Sequence, residues 1–242
     1  MSVADLFNKI KHLDIFDGLS EVELRNMASQ FKIIHLNNRE FLFEEGKPIQ
    51  HLYYCLYGSV KVQKQTERGR TVILDFLGRD EFLGVSMAGL KNPVFPASVV
   101  TLEASAFLQF SLNFYNEVLT QSPKIRMEMS RQNSERFLEL QTDRCHLHFK
   151  APQKAASLLL RLLERQSSNC RKQILFPLTR TEVAQRIGID PATVVRIFSL
   201  WTQNKIITTT DRHIEILNQD ALERIMNPPA GRSKRVDDKV FA

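Results

Sequence analysis

The chain has 242 residues, 43% hydrophobic and 25% charged, with a formal net charge of +6. That length allows two ordinary domains with separate cores, and the composition is that of a soluble globular protein. No apolar run approaches the roughly 20 residues of a membrane span, and Met1 to Ile10 carries Asp5 without an apolar core, so neither an anchor nor a secretory signal is read and a cytoplasmic protein is expected.

Charge placement is more informative than its sum. Residues 1–149 hold 17 Lys and Arg against 18 Asp and Glu, whereas residues 150–242 hold 16 against 9. A polyanion-binding module at the C-terminal end has this signature. The three cysteines, Cys55, Cys145 and Cys170, are too far apart for a metal knuckle or a CxxC pair. They read as small hydrophobes in a reducing compartment, with a redox-sensing thiol as the other reading.

Leu6 to Phe31 reads as helical, with a Ser20/Glu23 capping box ahead of Leu24 and Met27. From Ile33 to Leu112 the texture is short strands and turns. The strands are 39–43, 51–57, 59–63, 71–77, 97–101 and 106–110, with glycines 46, 58, 69, 78, 84 and 89 at the corners. Many short strands punctuated by Gly and Pro predict an all-β barrel or jelly roll. Tyr53, Tyr54 and Tyr57 are expected in its core. Pro123 opens a long helix running to about Phe149. Ile125, Met129, Phe137, Leu140 and Leu147 recur along it at imperfect seven-residue spacing, interrupted by Gln132, Asn133 and Ser134. At roughly 38 Å it exceeds what a small barrel needs for packing and reads as a dimer seam with a polar middle. His146 and His148 lie two apart, on opposite sides of a helix, so no metal pair is read.

Ala151-Pro152 breaks that helix and marks a domain boundary. Gln153 to Gln166 forms the next helix, with Ala156, Leu159, Leu160 and Leu163 as its buried stripe. Residues 227–242, opening Asn-Pro-Pro-Ala-Gly, have little to bury and are expected to be disordered.

The strongest signal lies between Leu178 and Trp201. Thr179 and Glu182 form a capping box that starts one helix, with Val183, Ala184 and Ile187 facing inward. Gly188 permits a sharp turn, Asp190 caps a second helix and Pro191 takes its first position. Val194, Ile197, Phe198 and Trp201 lie at i, i+3, i+4 and i+7, the spacing of a core face. Pro191, Ala192, Val195, Arg196 and Ser199 therefore point outward. This is a helix-turn-helix arrangement, whose second helix fits the DNA major groove. Arg196, with a planar fork suited to guanine, is assigned as base reader. Thr179, Arg180 and Thr181, at the start of the first helix, are assigned to the phosphate backbone. Residues 206–210 and 213–217 read as a β-hairpin wing.

These residues resemble the catabolite-activator and fumarate-nitrate-regulator (CRP/FNR) family of bacterial transcription regulators over about residues 15 to 220. The barrel half of the resemblance rests on Gly46, Leu52 to Val62, Asp80-Glu-Phe-Leu-Gly84, Phe95-Pro-Ala-Ser98 and Ser122-Pro123. The DNA half rests on Arg180 to Ala184, Gly188 and Asp190-Pro-Ala-Thr-Val-Val-Arg196. The resemblance implies an α+β fold: a cyclic-nucleotide-binding-like β-barrel (jelly roll) over 1–122, a dimerisation helix over 123–150 and a winged helix-turn-helix over 151–226. It implies a homodimer on a pseudo-palindromic site, RNA polymerase as a further partner, and a small effector in a barrel pocket near Gly84, Val85, Ser86, Ala97, Ser98 and Leu140.

Three positions depart from the cyclic-AMP binders of the family. Val85 stands for a glutamate, Pro93 to Pro96 offers no arginine, and Leu140 stands for a hydroxyl, so the usual cyclic-AMP contacts are not expected. An effector-independent barrel is the alternative. No iron–sulfur cluster or other metal is expected, because the N-terminal cysteine cluster of the oxygen sensors is absent. Ala192 replaces the usual recognition-helix glutamate. A regulatory nucleotide-binding module acting on a protein partner is the competing function, and salt-dependent duplex binding separates the two. Without a Walker loop, HExxH, GxSxG or catalytic triad, the chain does not read as an enzyme.

Overall fold

The computed structural model describes residues 3–165 and 172–228. They divide into two compact units, one drawn from residues 1–64 and 75–142, the other from 65–74 and 143–242. The tail beyond residue 228 and Cys170, both named above, lie outside the described residues.

The first unit opens with α1 (Val3–Ile10) and α2 (Glu21–Ala28), in place of one continuous helical stretch. The Ser20/Glu23 capping box is present: Ser20 Oγ accepts from Glu23 N–H, and Glu23 Oε2 accepts from Ser20 N–H at 2.8 Å. Eight strands follow, all in this unit apart from Gln65 and residues 71–74: β1 (Lys32–Leu36), β2 (Phe41–Phe43), β3 (His51–Tyr57), β4 (Val60–Gln65), β5 (Thr71–Leu77), β6 (Phe82–Leu83), β7 (Ser98–Thr101) and β8 (Ser105–Ser111). They form two four-stranded sheets, ordered β1-β8-β3-β6 and β2-β7-β4-β5. Stacking of Phe43 in β2 on Tyr53 in β3, with ring centroids 5.8 Å apart, shows that the sheets face each other. Strands β1 and β6 were not among those predicted; β6 is two residues long and carries no alternation to detect.

At Gly58 (φ +87°) a side chain would be both strained and obstructed, since its Cβ would meet the Ser105 backbone at 2.7 Å. Tyr53 and Tyr54 are buried, but Tyr57 is exposed and shares a 3.2 Å hydrogen bond with His35, so it is not barrel core.

After α3 (Leu112–Glu117) comes α4 (Pro123–Cys145), 23 residues long and followed by a short 3-10 turn, His146–His148. Two features bear on the reading of a seam with a polar middle. Ile125 and Met129 are buried in the core of their own unit. Gln132 is also buried: it accepts from Phe82 N–H at 2.9 Å and donates to the Asp80 carbonyl at 3.0 Å. Burying a carboxamide is tolerable only with such partners. Phe137 (60% exposed), Leu138 (63%) and Leu140 (55%) remain uncovered in the single chain.

The second unit contains α5 (Ala151–Glu164), β9 (Gln173–Ile174), α6 (Arg180–Ile187), α7 (Pro191–Gln203), β10 (Ile207–Thr210), β11 (His213–Ile216) and α8 (Gln219–Met226). Pro152 falls in the first turn of α5, where its missing N–H is harmless. The buried stripe of α5 includes Leu158 and Leu162, while Leu163 is only half-buried. The sheet order is β10-β11-β9. The last turn of α4 belongs here. Asp143 is clamped by Arg161 on α5 at 2.7 Å and Arg186 on α6 at 2.8 Å. Burial alone would raise the Asp143 pKa, but the Arg186 and Arg161 guanidiniums outweigh it and hold the carboxyl below its ordinary value.

Candidate nucleic-acid interface

Helix α6 starts where the Thr179 hydroxyl accepts from Glu182 N–H at 3.2 Å and donates to Glu182 Oε2 at 2.8 Å. It ends at Gly188, left-handed at φ +70°, whose N–H donates to the Ala184 carbonyl at 2.9 Å. That residue turns the chain sharply. Asp190 then caps α7, its carboxylate accepting from Ala192 N–H at 2.8 Å, and Pro191 supplies the first helical position. Val194, Ile197, Phe198 and Trp201 are buried, and Phe198 stacks on Trp201 at 5.7 Å. The core thus holds one side of α7 and leaves Pro191, Ala192, Val195, Arg196 and Ser199 exposed on the other. An Arg196 Nη2–H donates to the Thr193 hydroxyl at 3.2 Å, steadying the guanidinium against its own helix.

The wing pairs Ile207 with Ile216 and Thr210 with His213. Asp211 (φ +48°) and Arg212 (φ +69°) make the two-residue turn, whose double positive φ matches the twist of a tight hairpin. Leu178 N–H donates to the Arg212 carbonyl at 2.8 Å, tying the wing tip to the approach of α6. Arg180, assigned to phosphate, is half-buried. Its guanidinium lies 4.4 Å over the Phe198 ring and donates to the Thr209 hydroxyl at 3.0 Å. Burial lowers its pKa from the usual arginine value. Among the three residues assigned to phosphate, only Thr181 is exposed; Thr179 is occupied as the cap.

Two family models match, the Crp-like helix-turn-helix domain over residues 153–225 and the cyclic nucleotide-binding domain over 33–122. The chain belongs to the CRP/FNR family of transcription regulators. Among curated relatives, it is 26% identical to the transcriptional activator protein anr of Pseudomonas aeruginosa, covering 84% of this chain and 80% of that one. It is 24% identical to the cAMP-activated global transcriptional regulator CRP of Haemophilus influenzae, covering 69% and 75%. Its fold is similar to FixK2 from Bradyrhizobium japonicum (TM-score 0.70, 16% identity, 83% of this chain and 99% of that one). It is also similar to a CooA variant from Carboxydothermus hydrogenoformans (TM-score 0.69, 14% identity, 89% and 95%).

In this CRP/FNR-family chain the residues expected around an effector are only partly assembled. Gly84 (φ +84°) lies against Phe95, whose ring a Cβ there would approach to 3.0 Å, and Phe95 stacks on Phe43 at 3.8 Å. Val85 and Ala97 are buried. The Ser98 hydroxyl accepts from Glu45 N–H at 2.9 Å, and Ser86 donates to Asn133 on α4 at 3.1 Å. Leu140 has no contact with these residues among those described above. It sits seven residues beyond Asn133, about 10 Å further along the helix axis, and is exposed.

Sequence reasoning missed the α4 residues that grip this segment. Besides Gln132 and Asn133, Arg136 donates to the Phe82 carbonyl at 2.9 Å and faces Glu81 at 3.6 Å. Their signal was the four-residue spacing of Glu128, Gln132 and Arg136. Cys55 is buried and burial pushes its thiol pKa up, away from the thiolate form, while Cys145 is exposed.

Proposed function

We propose that this regulator works as a homodimer that seats one α7 in each of two major-groove half-sites, with Arg196 reading a base and Thr181 among the phosphate contacts. The observation that carries the reading is the exposed row Ala192, Val195, Arg196 and Ser199 on a helix whose opposite face is sealed in its own core. Dimerisation through α4 is supported by exposed Phe137, Leu138 and Leu140. An open groove of about 600 Å³, lined partly by Tyr115, Met129, Phe137 and Leu138, supports it further. The working parts are a sensory domain over 1–122, the dimerisation helix over 123–150, the DNA-binding domain over 151–226 and a tail over 227–242, in a cytoplasmic protein. RNA polymerase is a further partner in this reading.

For the barrel we favour control without cyclic AMP. Phe95 fills the space beside Gly84, and Val85 supplies no carboxylate. The deciding experiment is a titration of the full-length dimer against promoter duplexes at several salt concentrations. Log K falling linearly with log salt, above a sequence-specific component, is the expected result. Absence of duplex binding at low ionic strength would remove the reading.

A further inference from the structure

The major groove offers a different chemical edge for each base pair, and a helix reads only those edges for which it carries a complement. Cytosine presents an amino donor, adenine a donor and an acceptor, guanine two acceptors, and thymine an acceptor beside a methyl group. From Pro191 to Ser199, α7 contains no Asp, Glu, Asn or Gln. The Asp190 carboxylate caps Ala192, and the Thr193 hydroxyl accepts from Arg196. The outward row therefore consists of one guanidinium, one hydroxyl at Ser199 and the apolar Pro191, Ala192 and Val195, the last two three residues apart on one face.

Val195 is 48% exposed although its neighbour Val194 is fully buried. Its β-branched side chain is stiff in a helix, so its methyls are held outward without an entropic penalty on contact.

We infer that Ala192 and Val195 form an apolar patch that selects thymine methyl groups beside the guanine met by Arg196. The inference rests on the major-groove reading of α7. It predicts half-sites in which a G·C pair is flanked by T·A pairs, with no direct selection of cytosine through its amino group by this row.

The test uses the full-length protein. Its preferred duplex is first enriched from random sequences. Each thymidine of one half-site is then replaced in turn by deoxyuridine, which keeps the Watson–Crick edge and removes the methyl. At fixed salt, one or more replacements are expected to weaken the native protein about fourfold, the fold-change that corresponds to roughly 0.8 kcal/mol for one buried methyl. The same replacements are expected to leave Val195→Ala unaffected at the position Val195 contacts. Indifference of the native protein to every replacement, or an undiminished penalty at every position in Val195→Ala, overturns the inference. Repeating the enrichment with Ala192→Glu, which supplies an acceptor, is expected to exchange one thymine for cytosine; an unchanged base preference removes Ala192 from the patch. If no duplex is enriched, the major-groove reading itself fails, which is a different outcome from binding without methyl dependence.

Discussion

In the barrel, Phe95 lies against Gly84 and stacks on Phe43, and the neighbouring hydroxyls of Ser86 and Ser98 are engaged by Asn133 and the Glu45 backbone. In the helix-turn-helix unit, Val195 and Arg196 face outward from a helix whose other side is closed by Trp201. The contrast teaches where each unit's recognition groups have gone. In the barrel the Ser86 and Ser98 hydroxyls are engaged within the unit, and aromatic rings pack beside Gly84. The second unit holds its binding row rigid from behind, through two caps, a left-handed glycine and a buried tryptophan, and leaves the row uncovered.

The comparison breaks most visibly if the barrel interior is emptied. Phe95→Ala removes a buried ring and is expected to lower barrel stability by about 3–5 kcal/mol, read by urea unfolding. A loss under 1 kcal/mol would mean that Phe95 is a movable plug over an effector site and not core.

A next test concerns the frame behind α6. Asp143→Asn leaves Arg161 and Arg186 facing an uncharged group and should cost about 1–3 kcal/mol, below the range for a fully buried ion pair because the Asp143 side chain is 30% exposed. The sign with pH follows from the lowered carboxyl pKa. The stabilisation is complete above the ordinary aspartate value and is lost as pH falls through the lower, folded-state value. The native protein should thus lose stability on acidification more steeply than Asp143→Asn. Parallel pH profiles would count against the clamp.

Arg196→Ala sharpens the other side of the contrast. It should weaken specific binding by about 1–3 kcal/mol while leaving dimerisation and melting temperature intact. An unchanged gel-shift midpoint on the selected duplex removes Arg196 from the reader role. The smallest signal is expected from calorimetry with micromolar cyclic AMP, where no binding heat should appear. Measurable heat would show that the Val85 and Phe95 neighbourhood rearranges around the nucleotide.

The helix-turn-helix was legible because its determinants are local. A capping box at Thr179/Glu182, a turn glycine, an Asp190-Pro191 start and an i, i+3, i+4, i+7 core face all fall within some two dozen residues, and each acts on its immediate neighbours. The wing was legible for the same reason, its turn being two residues long. Helix α8 and strand β9 were not foreseen. Each is short, and β9 is held by pairing with β11, far along the chain.

What the amino-acid order determined by itself was most of the helices and strands, the two-part organisation and the face of α7 that turns outward, because periodicity and caps are properties of adjacent residues. Only the tertiary structure decided that Arg180 packs over Phe198 and bonds Thr209, that Gln132 and Arg136 hold the backbone of Asp80 and Phe82, and that Asp143 pairs with both Arg161 and Arg186. Long polar side chains choose among partners brought together from distant segments, and the energies that settle the choice, desolvation against a charge or a hydrogen bond, exist only once those segments have met.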